Sequence, residues 1–505
     1  MLLGHIHFDS ARSTNQRAYA LLTPEADGHA QRNQLVRILN PGGEVKEFLG
    51  KTVEGPFFSE ATGGHEALIG LDVQGELAGG RVRVTSTRPA PGAEVHELSP
   101  DELSGLVGIT GDMLLGALNG YEGVNVHLNS KNKAVLPRNL GIFGTVGAGK
   151  SNTSQVVIEE TARAGWAVIA LDVEGEYIEM DGPSTEQNLH ARMVEFDRPA
   201  RGLDDFQVFF PLSCTSDREG AKTFTLRTSD YDWQILAEIM ECAIPERNAL
   251  MEVVDYLKSR AKQRVNTTES EELSSLLDAS PDAKVPYNIG HLLERTNERI
   301  PHSNEFVDFR GLSAKLMRLK RSEAFDNVTL SAIDPATMMR PGRVSIFDIS
   351  VANDTIKNLV TADLLRKVFA YKIATEDTPP TLLVIEEAHT FISRERAATM
   401  GATLTMIRDI ARRGRKRWLG LSFISQQPGH LPPEIFELCN TRIVHNVKSL
   451  HNLEALMKTA GDVTQEMWGQ CPLLGPGQAI VSAPQYKDPV VANIRPASTR
   501  RKFTG

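Results

Sequence analysis

The chain of 505 residues has only four cysteines, no excess of positive charge and no long apolar run. Its four cysteines lie far apart, which excludes a disulfide scaffold or a paired-cysteine metal site and predicts free thiols. No uncharged apolar stretch of about 18 residues is present, so no membrane-spanning helix is expected. Residues 1–10 include two histidines and an aspartate, unlike a signal peptide. We therefore expect a cytoplasmic protein without membrane contact.

The composition has no excess of basic residues: 55 basic and 64 acidic side chains give a net charge of −9. No global positive field can draw the chain to nucleic acid, so any DNA contact must be a local patch. The hydrophobic share of 41% is that of a globular protein. At roughly 150 residues per domain, the length predicts about three domains, or two with a large insertion.

The chain changes character along its length. The first hundred residues contain short β-prone runs between Pro-Gly and Gly-Gly pairs, which indicates a small β-barrel or β-sandwich. From about residue 139, apolar runs alternate with helical stretches, which predicts a mainly parallel α/β sheet. These runs are Leu140–Phe143, Trp166–Leu171, Val344–Ile349, Leu382–Ile385, Leu419–Ile424, Arg442–Val447 and Gln478–Val481.

The long middle segment, 205–335, has helical periodicity interrupted at Pro245, and we interpret it as an inserted helical subdomain. The predicted domains are 1–105 (β-barrel), 106–204 (first part of the core), 205–335 (insertion) and 336–505 (second part of the core and C-terminal extension). The basic residues Arg500, Arg501 and Lys502 are interpreted as a frayed tail.

One motif carries specific chemistry. The run Gly144, Thr145, Val146, Gly147, Ala148, Gly149, Lys150 and Ser151 matches G-x-x-x-x-G-K-[ST], after an apolar strand and before a helix. Its glycines let backbone N–H groups surround phosphate oxygens, Lys150 neutralises β/γ charge, and Ser151 is a Mg²⁺ ligand. We assign these residues and the adjacent Asn152 to binding ATP with Mg²⁺.

Two carboxylates end a later strand, at Glu386 and Glu387. We expect Glu386 to hold the metal shell and Glu387 to act as the general base on the attacking water. The alternative is a solvated helix start. His389 is expected to position its neighbours, because no second ligand lies at metal-binding spacing.

Two further strand ends carry polar residues. Asp172, in the run Asp172–Tyr177, is expected near Mg²⁺ or water, with a helix cap as the alternative. Gln426 is a neutral donor able to sense the γ-phosphate, or else a turn residue.

A dense basic run, Arg408 to Arg417, precedes one strand. Such a run is often a solvated face. A P-loop enzyme also commonly receives an arginine from a neighbouring subunit to stabilise charge on the transferred phosphoryl group. We expect Arg412 or Arg415 to be this arginine finger.

Taken in order, the P-loop, Asp172–Tyr177, Glu386–His389, Ile410–Lys416 and Ser425–Arg442 resemble the HerA family of the HerA/FtsK ATPase group. The resemblance spans the chain. It implies an N-terminal β-barrel, a RecA-like P-loop NTPase core with an inserted helical bundle, and a homo-hexameric ring that translocates along double-stranded DNA. Arg138 lies where the family carries a basic residue, and we assign it to the nucleotide.

The resemblance also implies a partner on the barrel: a nuclease such as NurA in DNA-end processing and repair, or another effector in antiviral defence. Basic runs at Lys258–Arg264 and Lys315–Arg321 are candidates for the pore, or simple helix surfaces. The alternative function is an assembly scaffold whose nucleotide site controls an effector, with translocation incidental.

Overall fold

The computed structural model describes the chain except residues 8–13, 15, 27–29, 31–33, 43–45, 62–63, 80, 267–286, 396–399 and 503–505. For residues 59–61, 64–66, 81 and 261–266 the backbone alone is described. The chain forms two compact units: 1–110 with 117–126 and 486–488, and 111–116 with 127–485 and 489–505. Within the described residues, no helix is long and apolar enough to cross a membrane.

The first unit is a closed barrel. Its strands are β1 Leu2–Ile6, β2 Arg17–Leu22, β3 Leu35–Leu39, β4 Glu47–Ala61, β5 Gly64–Ala78, β6 Arg81–Arg83 and β7 Glu94–Glu97. They pair in the order β2-β1-β7-β3-β4-β5, and β5 pairs back to β2, while β6 extends β5 as a hairpin. Every second residue of β2 and β3 is buried, as the two-residue period of a strand requires. Of the two interpretations of this segment, the barrel is therefore confirmed over the sandwich.

The barrel strands enclose an apolar core that includes Leu3, Ile38, Phe48 and Val95. A helix, Pro100–Val107, follows the last strand. It starts at a capping box in which Ser99 and Glu102 satisfy each other's backbone N–H groups.

The remaining strands form one large sheet, most of which belongs to the second unit. Its strands are β8 Met113–Leu118, β9 Asn125–Leu128, β10 Leu140–Phe143, β11 Ala167–Asp172, β12 Phe206–Pro211, β13 Lys222–Phe224, β14 Val344–Asp348, β15 Thr381–Ile385, β16 Leu419–Ser425, β17 Thr441–Val444, β18 Gln478–Ser482 and β19 Val490–Ile494. Their order is β13-β12-β14-β11-β15-β16-β10-β17-β18-β19-β8-β9. The pairs from β13 to β17 are parallel, and β17-β18-β19 are antiparallel. The predicted mainly parallel α/β class is confirmed.

The strands that carry the predicted motifs are buried on both faces. Every residue of β10, β11, β15 and β16 is buried. Such continuous apolar runs are typical of a parallel sheet covered by helices on both sides, which is why they were visible in the sequence.

The helices of this unit are Lys150–Arg163, His190–Glu195, Trp233–Ile239, Ile244–Asn266, Ile289–Arg299, Phe309–Arg321, Pro335–Met338, Asp354–Ala374, Gly401–Arg413, Pro433–Leu438, Leu450–Met457 and Gln465–Gln470. The predicted interruption of the helical pattern is present just before Pro245: one helix ends at Ile239, and the next begins at Ile244 with Pro245 in its first turn. The 205–335 segment is not wholly helical, however. Its first part forms β12 and β13, which extend the main sheet, and the proposed boundaries stay a prediction.

Two smaller expectations have clear outcomes. The four cysteines are free thiols. The basic residues at 500–502 are not a frayed tail: the backbone N–H groups of Arg500 and Lys502 donate to the carbonyls of Gly182 and Glu176, at 2.8 and 3.0 Å. The interpretation failed because the residues that hold this segment lie far away in sequence.

Candidate nucleotide-binding site

The phosphate-binding loop lies between β10 and the Lys150–Arg163 helix, called here the P-loop helix. Gly147 and Gly149 have φ of 75° and 112°, in the left-handed region that disfavours side chains. A Cβ on Gly144 would lie 2.7 Å from the Cβ of His445. The glycines are therefore required by the backbone path, which ends with free N–H groups at the start of a helix of 14 residues.

Lys150 is the first residue of that helix and is 9% exposed. Its Nζ donates to the carbonyl oxygen of Thr145 at 2.9 Å, so the side chain folds back over the loop. Burial lowers the pKa of Lys150, and the negative charge of Glu387 is the largest opposing effect. A phosphate in the loop would offer this partly desolvated ammonium a much stronger partner than a carbonyl.

The other residues of the motif have different positions. Val146 is 82% exposed at the tip, whereas Ala148 is buried. Ser151 follows Lys150 in the first helical turn. The side chain of Asn152 is not hydrogen-bonded to the phosphate-binding loop. Its amide instead forms hydrogen bonds with the backbone of Arg495 and Ala497, at 2.9 and 2.8 Å.

Two residues at the end of β17 support the loop, and the sequence analysis did not find them. The carbonyl of Asn446 accepts the N–H and the hydroxyl of Thr145, at 2.9 and 3.0 Å. His445 is fully buried beside it, with Nδ1 2.9 Å from the carbonyl of Gln478 and Nε2 2.8 Å from the Thr153 hydroxyl. Burial lowers its pKa to about 4, so the ring is neutral and donates from Nδ1. No motif marks these residues; only the pairing of β10 with β17 brings them under the loop.

The sheet order brings two of the predicted residues beside the loop. β16 pairs with β10, and β15 pairs with β16, so Gln426 follows the strand next to the P-loop strand and Glu387 follows the strand beyond it. Glu387 is buried and has φ of 44°. One of its oxygens is 3.1 Å from Nδ1 of His389 and 3.5 Å from the backbone N–H of Gln426. The predicted neighbour-positioning role of His389 thus has a contact that supports it.

Asp172 ends β11, one strand further along, and forms a buried acidic pair with Glu386, the residue before Glu387. Asp172 accepts the backbone N–H groups of residues 175, 176 and 177 at 2.7, 3.1 and 2.8 Å. Burial raises its pKa to about 6. Burial also raises the pKa of Glu386 well above the usual range, and the Asp172 charge adds to the effect. These contacts make Asp172 the anchor of its own loop, and its expected place near Mg²⁺ or water stays a prediction.

Residues 173–177 form what we call the acidic loop. One Glu386 oxygen accepts the N–H groups of Val173 and Glu174 at 3.0 and 3.4 Å. Carboxylate oxygens of Glu174, Glu176 and Glu386 lie within 4.8 Å of one another, an arrangement able to hold a cation. Carboxylate oxygens are the ligands that Mg²⁺ prefers, so the donor set fits the expected metal. It includes Glu386 as predicted and adds Glu174 and Glu176, which the sequence analysis did not assign to the metal.

The predicted arginines lie near the amino-terminal ends of the strands, whereas the P-loop lies at their carboxyl ends. Arg138 precedes β10, and Arg415 precedes β16, whereas the P-loop and Gln426 follow these strands. The turn Leu136–Arg138 packs against the turn Gly414–Arg417. Arg412 lies in the last turn of the helix that leads to the second turn, and both Arg412 and Arg415 are exposed. The structure therefore groups Arg138 with the expected finger residues, away from the P-loop of its own chain.

Comparisons with known proteins identify the family. A family model described as "Helicase HerA, central domain" matches residues 113–368, just over half of the chain. The chain is 25% identical to a probable DNA double-strand break repair helicase HerA of Methanocaldococcus jannaschii, over 97% of this chain and 93% of that one. It is 22% identical to the DNA double-strand break repair helicase HerA of Saccharolobus solfataricus, over 80% of this chain and 73% of that one.

Solved structures show the same fold. VirB4 of Thermoanaerobacter pseudethanolicus matches 76% of this chain and 96% of its own length, with a TM-score of 0.51 and 17% identity. The predicted P-loop ATPase core is thus confirmed at the level of fold, and the family model includes both the P-loop and the acidic loop. The chain therefore belongs to the HerA helicase family of ATP-hydrolysing DNA helicases and translocases.

Proposed function

We propose that this chain is the motor subunit of a homo-hexameric ring that hydrolyses ATP to move along double-stranded DNA. The observation that carries the proposal is the order β10, β16, β15 and β11 in the sheet. It brings the buried Lys150, the candidate general base Glu387 and the carboxylate cluster of the acidic loop and Glu386 to the carboxyl ends of these strands. The P-loop, Gln426, Glu387 and the acidic loop then surround the position of a triphosphate.

In the proposed reaction, Lys150 leaves the Thr145 carbonyl and pairs with the β- and γ-phosphates, and the first N–H groups of the P-loop helix bind their oxygens. Glu387 accepts the proton of a water that attacks the γ-phosphorus, while the bond to the β-phosphate oxygen breaks. The contacts of Glu387 with His389 and the Gln426 amide fix its direction. Ser151 and Glu386, with Glu174 and Glu176 nearby, would hold Mg²⁺, which would neutralise phosphate charge.

The position of the arginines supports a ring. β10 has four residues, and at roughly 3.3 Å each they separate Arg138 from the P-loop by about 13 Å or more. Arg408 is paired with Glu434 and Arg413 packs over Phe369, but no ion pair is present for Arg412 or Arg415 within the described part of the chain. A neighbour that presents this edge to the next P-loop would complete the site with Arg412, Arg415 or Arg138.

DNA contact would then come from local basic surfaces, because the net charge is −9. Of the two candidate runs, Lys315 is committed to an ion pair with Glu246 at 2.7 Å. Arg318, Lys320 and Arg321 are exposed at the end of their helix. The other run continues a helix whose side chains beyond residue 260 lie outside the described residues.

The test is ATP hydrolysis measured with and without linear duplexes of unrelated sequence, over a range of salt concentrations. We expect similar stimulation by each duplex and a steep loss with salt, because a motor that follows phosphates reads no bases. Glu387→Gln is the inactive control. ATP hydrolysis rates that are the same with and without DNA would instead favour the scaffold function.

We also propose that a nuclease or other effector protein binds the barrel, in DNA-end processing or antiviral defence. The support is the closed six-stranded barrel that precedes the motor core. Purification of the tagged chain from its native host, followed by mass spectrometry, tests this proposal. Recovery of the neighbouring gene product with the full chain, and not with a chain lacking residues 1–105, is the expected result.

A further inference from the structure

Residues 495–502, called here the strap, run along one face of the P-loop helix. Asn152 is bound at both ends of its amide to the strap backbone. Two turns further along, one oxygen of Glu159 accepts both the N–H and the hydroxyl of Thr499 at 2.8 Å. Positions 152, 155 and 159 share a helix face, and Gln155 also donates to the strap, at the carbonyl of Arg500.

A buried charge cluster fixes the start of the strap. Arg495 is fully buried, and one of its nitrogens is 2.7 Å from Glu159 and 2.9 Å from Glu160. Arg198 is 2.7 Å from the same Glu160. Two guanidinium groups thus pair with two carboxylates of the P-loop helix. Because these charges are buried and form several ion pairs, they fix the position of Arg495, the first strap residue, against the helix.

The other edge of the strap is bonded to a different part of the chain. The carbonyl of Ser498 accepts the N–H groups of Ser184 and Arg201, both at 2.9 Å. The N–H of Arg500 donates to Gly182. The last bond, 3.0 Å, joins the N–H of Lys502 to the carbonyl of Glu176, inside the acidic loop.

The strap therefore connects the two halves of the candidate metal–nucleotide site. One half is the P-loop helix, which carries Lys150 and Ser151, and the other is the acidic loop, which carries Glu174 and Glu176. Asp172 holds the acidic loop from the inside through three N–H groups, and the strap holds it from the outside. Burial raises the pKa of Glu174, the negative charge of Glu387 adds to this effect, and the positive charge of Arg501, between the two bonded strap residues, partly opposes it.

We propose that the strap is a positioning element that sets the distance between the acidic loop and the P-loop helix, and thereby the affinity of the site for a divalent cation in the presence of nucleotide. This inference rests on the proposed function of the site. The residues of the strap act through Glu174 and Glu176 of the acidic loop, where the carbonyl of Glu176 accepts a strap hydrogen bond.

The experiment separates the backbone bond from the side chain of Lys502. Lys502→Pro removes the N–H that donates to Glu176, whereas Lys502→Ala keeps it and removes only the exposed ion pair with Asp217. Binding of a fluorescent non-hydrolysable ATP analogue is titrated without Mg²⁺ and then across Mg²⁺ concentrations. We expect equal binding without Mg²⁺ in all three proteins, and a Mg²⁺ requirement raised about three- to tenfold in Lys502→Pro alone, the factor of one hydrogen bond.

A second pair tests the other attachment. Thr499→Val removes the hydroxyl that donates to Glu159, and Thr499→Ser restores it. The valine variant should reproduce the raised Mg²⁺ requirement and the serine variant should not. The same Mg²⁺ requirement in Lys502→Pro and Lys502→Ala, or in Thr499→Val and Thr499→Ser, would overturn the proposed positioning role of the strap. Failure of the parent chain to bind the analogue at all would instead overturn the proposed function.

Discussion

His445 offers a test of the support beneath the P-loop. The ring is fully buried, neutral, and bonded to Gln478 and Thr153, and its pKa is lowered to about 4 by burial, with the nearby Lys150 charge a lesser cause. Replacement by glutamine removes the titration but keeps a side chain with a donor and an acceptor. The variant should therefore change how stability depends on pH.

The direction follows from proton binding. Below its ordinary pKa of 6.5 the histidine takes up a proton in the unfolded chain, but in the folded chain it does so only near pH 4. Its contribution to stability is complete above pH 6.5 and is lost as the pH falls toward 4. Between pH 8 and pH 5 this loss amounts to about 2 kcal/mol. Asp172, with a pKa raised to about 6, acts in the opposite direction, so only the difference between parent and variant isolates His445.

The assay is urea unfolding at pH 8 and pH 5, followed by tryptophan fluorescence. All four tryptophans lie in the unit that contains His445, so the signal reports that unit. The parent should lose about 2 kcal/mol more than His445→Gln between the two pH values. His302→Gln, which removes an exposed ring, is the control and should follow the parent. The same loss in the parent and in His445→Gln would refute the buried neutral histidine.

Three further predictions concern the site and its frame. Lys150→Ala removes the partner of the β/γ-phosphates and should lower ATP turnover more than about 100-fold with an unchanged urea midpoint; near-normal turnover would reject the site. Glu387→Gln should bind ATP normally in an equilibrium assay and hydrolyse it about 10²- to 10⁴-fold more slowly, because an amide cannot take the proton; lost binding would assign Glu387 to structure or metal. Arg495→Met leaves Glu159 buried without its arginine and Glu160 with Arg198 alone, and should cost about 3–5 kcal/mol of unfolding free energy; a neutral effect would contradict the buried charge cluster.

The sequence predicted the parts whose signals are local. The buried strands of the sheet are continuous apolar runs, so the seven predicted runs correspond to strands β10, β11 and β14 to β18 within a few residues. The P-loop is specified by eight adjacent residues, and its strand and helix are where the motif requires them.

The parts that the sequence did not predict depend on pairings between distant segments. β12 and β13 are short strands at the sheet edge inside a segment dominated by helices, so the helical pattern masked them. His445 reaches the loop only because β17 pairs with β10. The strap looked like a basic tail because each of its partners is remote in sequence.

Residue roles were the least predictable part. Asp172 and Glu386 both end strands, but local backbone geometry turns the Asp172 oxygens toward three N–H groups of its own loop. Asn152 follows the motif, yet its amide is bound to the strap. Sequence position predicts at which end of a strand a residue lies. Only the three-dimensional contacts show to which polar group its side chain is hydrogen-bonded.

The central claim is that a ring of identical chains hydrolyses ATP at sites completed by a neighbour. Arg412→Ala or Arg415→Ala, whichever removes the finger, should bind ATP normally and be inactive alone, since its P-loops receive no guanidinium from the neighbour. Mixing either with Lys150→Ala creates interfaces with an intact P-loop and an intact finger, about a quarter of all interfaces at equal ratio.

ATP hydrolysis across mixing ratios, with assembly checked by native mass spectrometry, is the most direct measurement. We predict recovery to about a quarter of the parent rate at equal ratio, and none in either protein alone. No recovery at any ratio, in rings shown to contain both variants, would contradict the shared site.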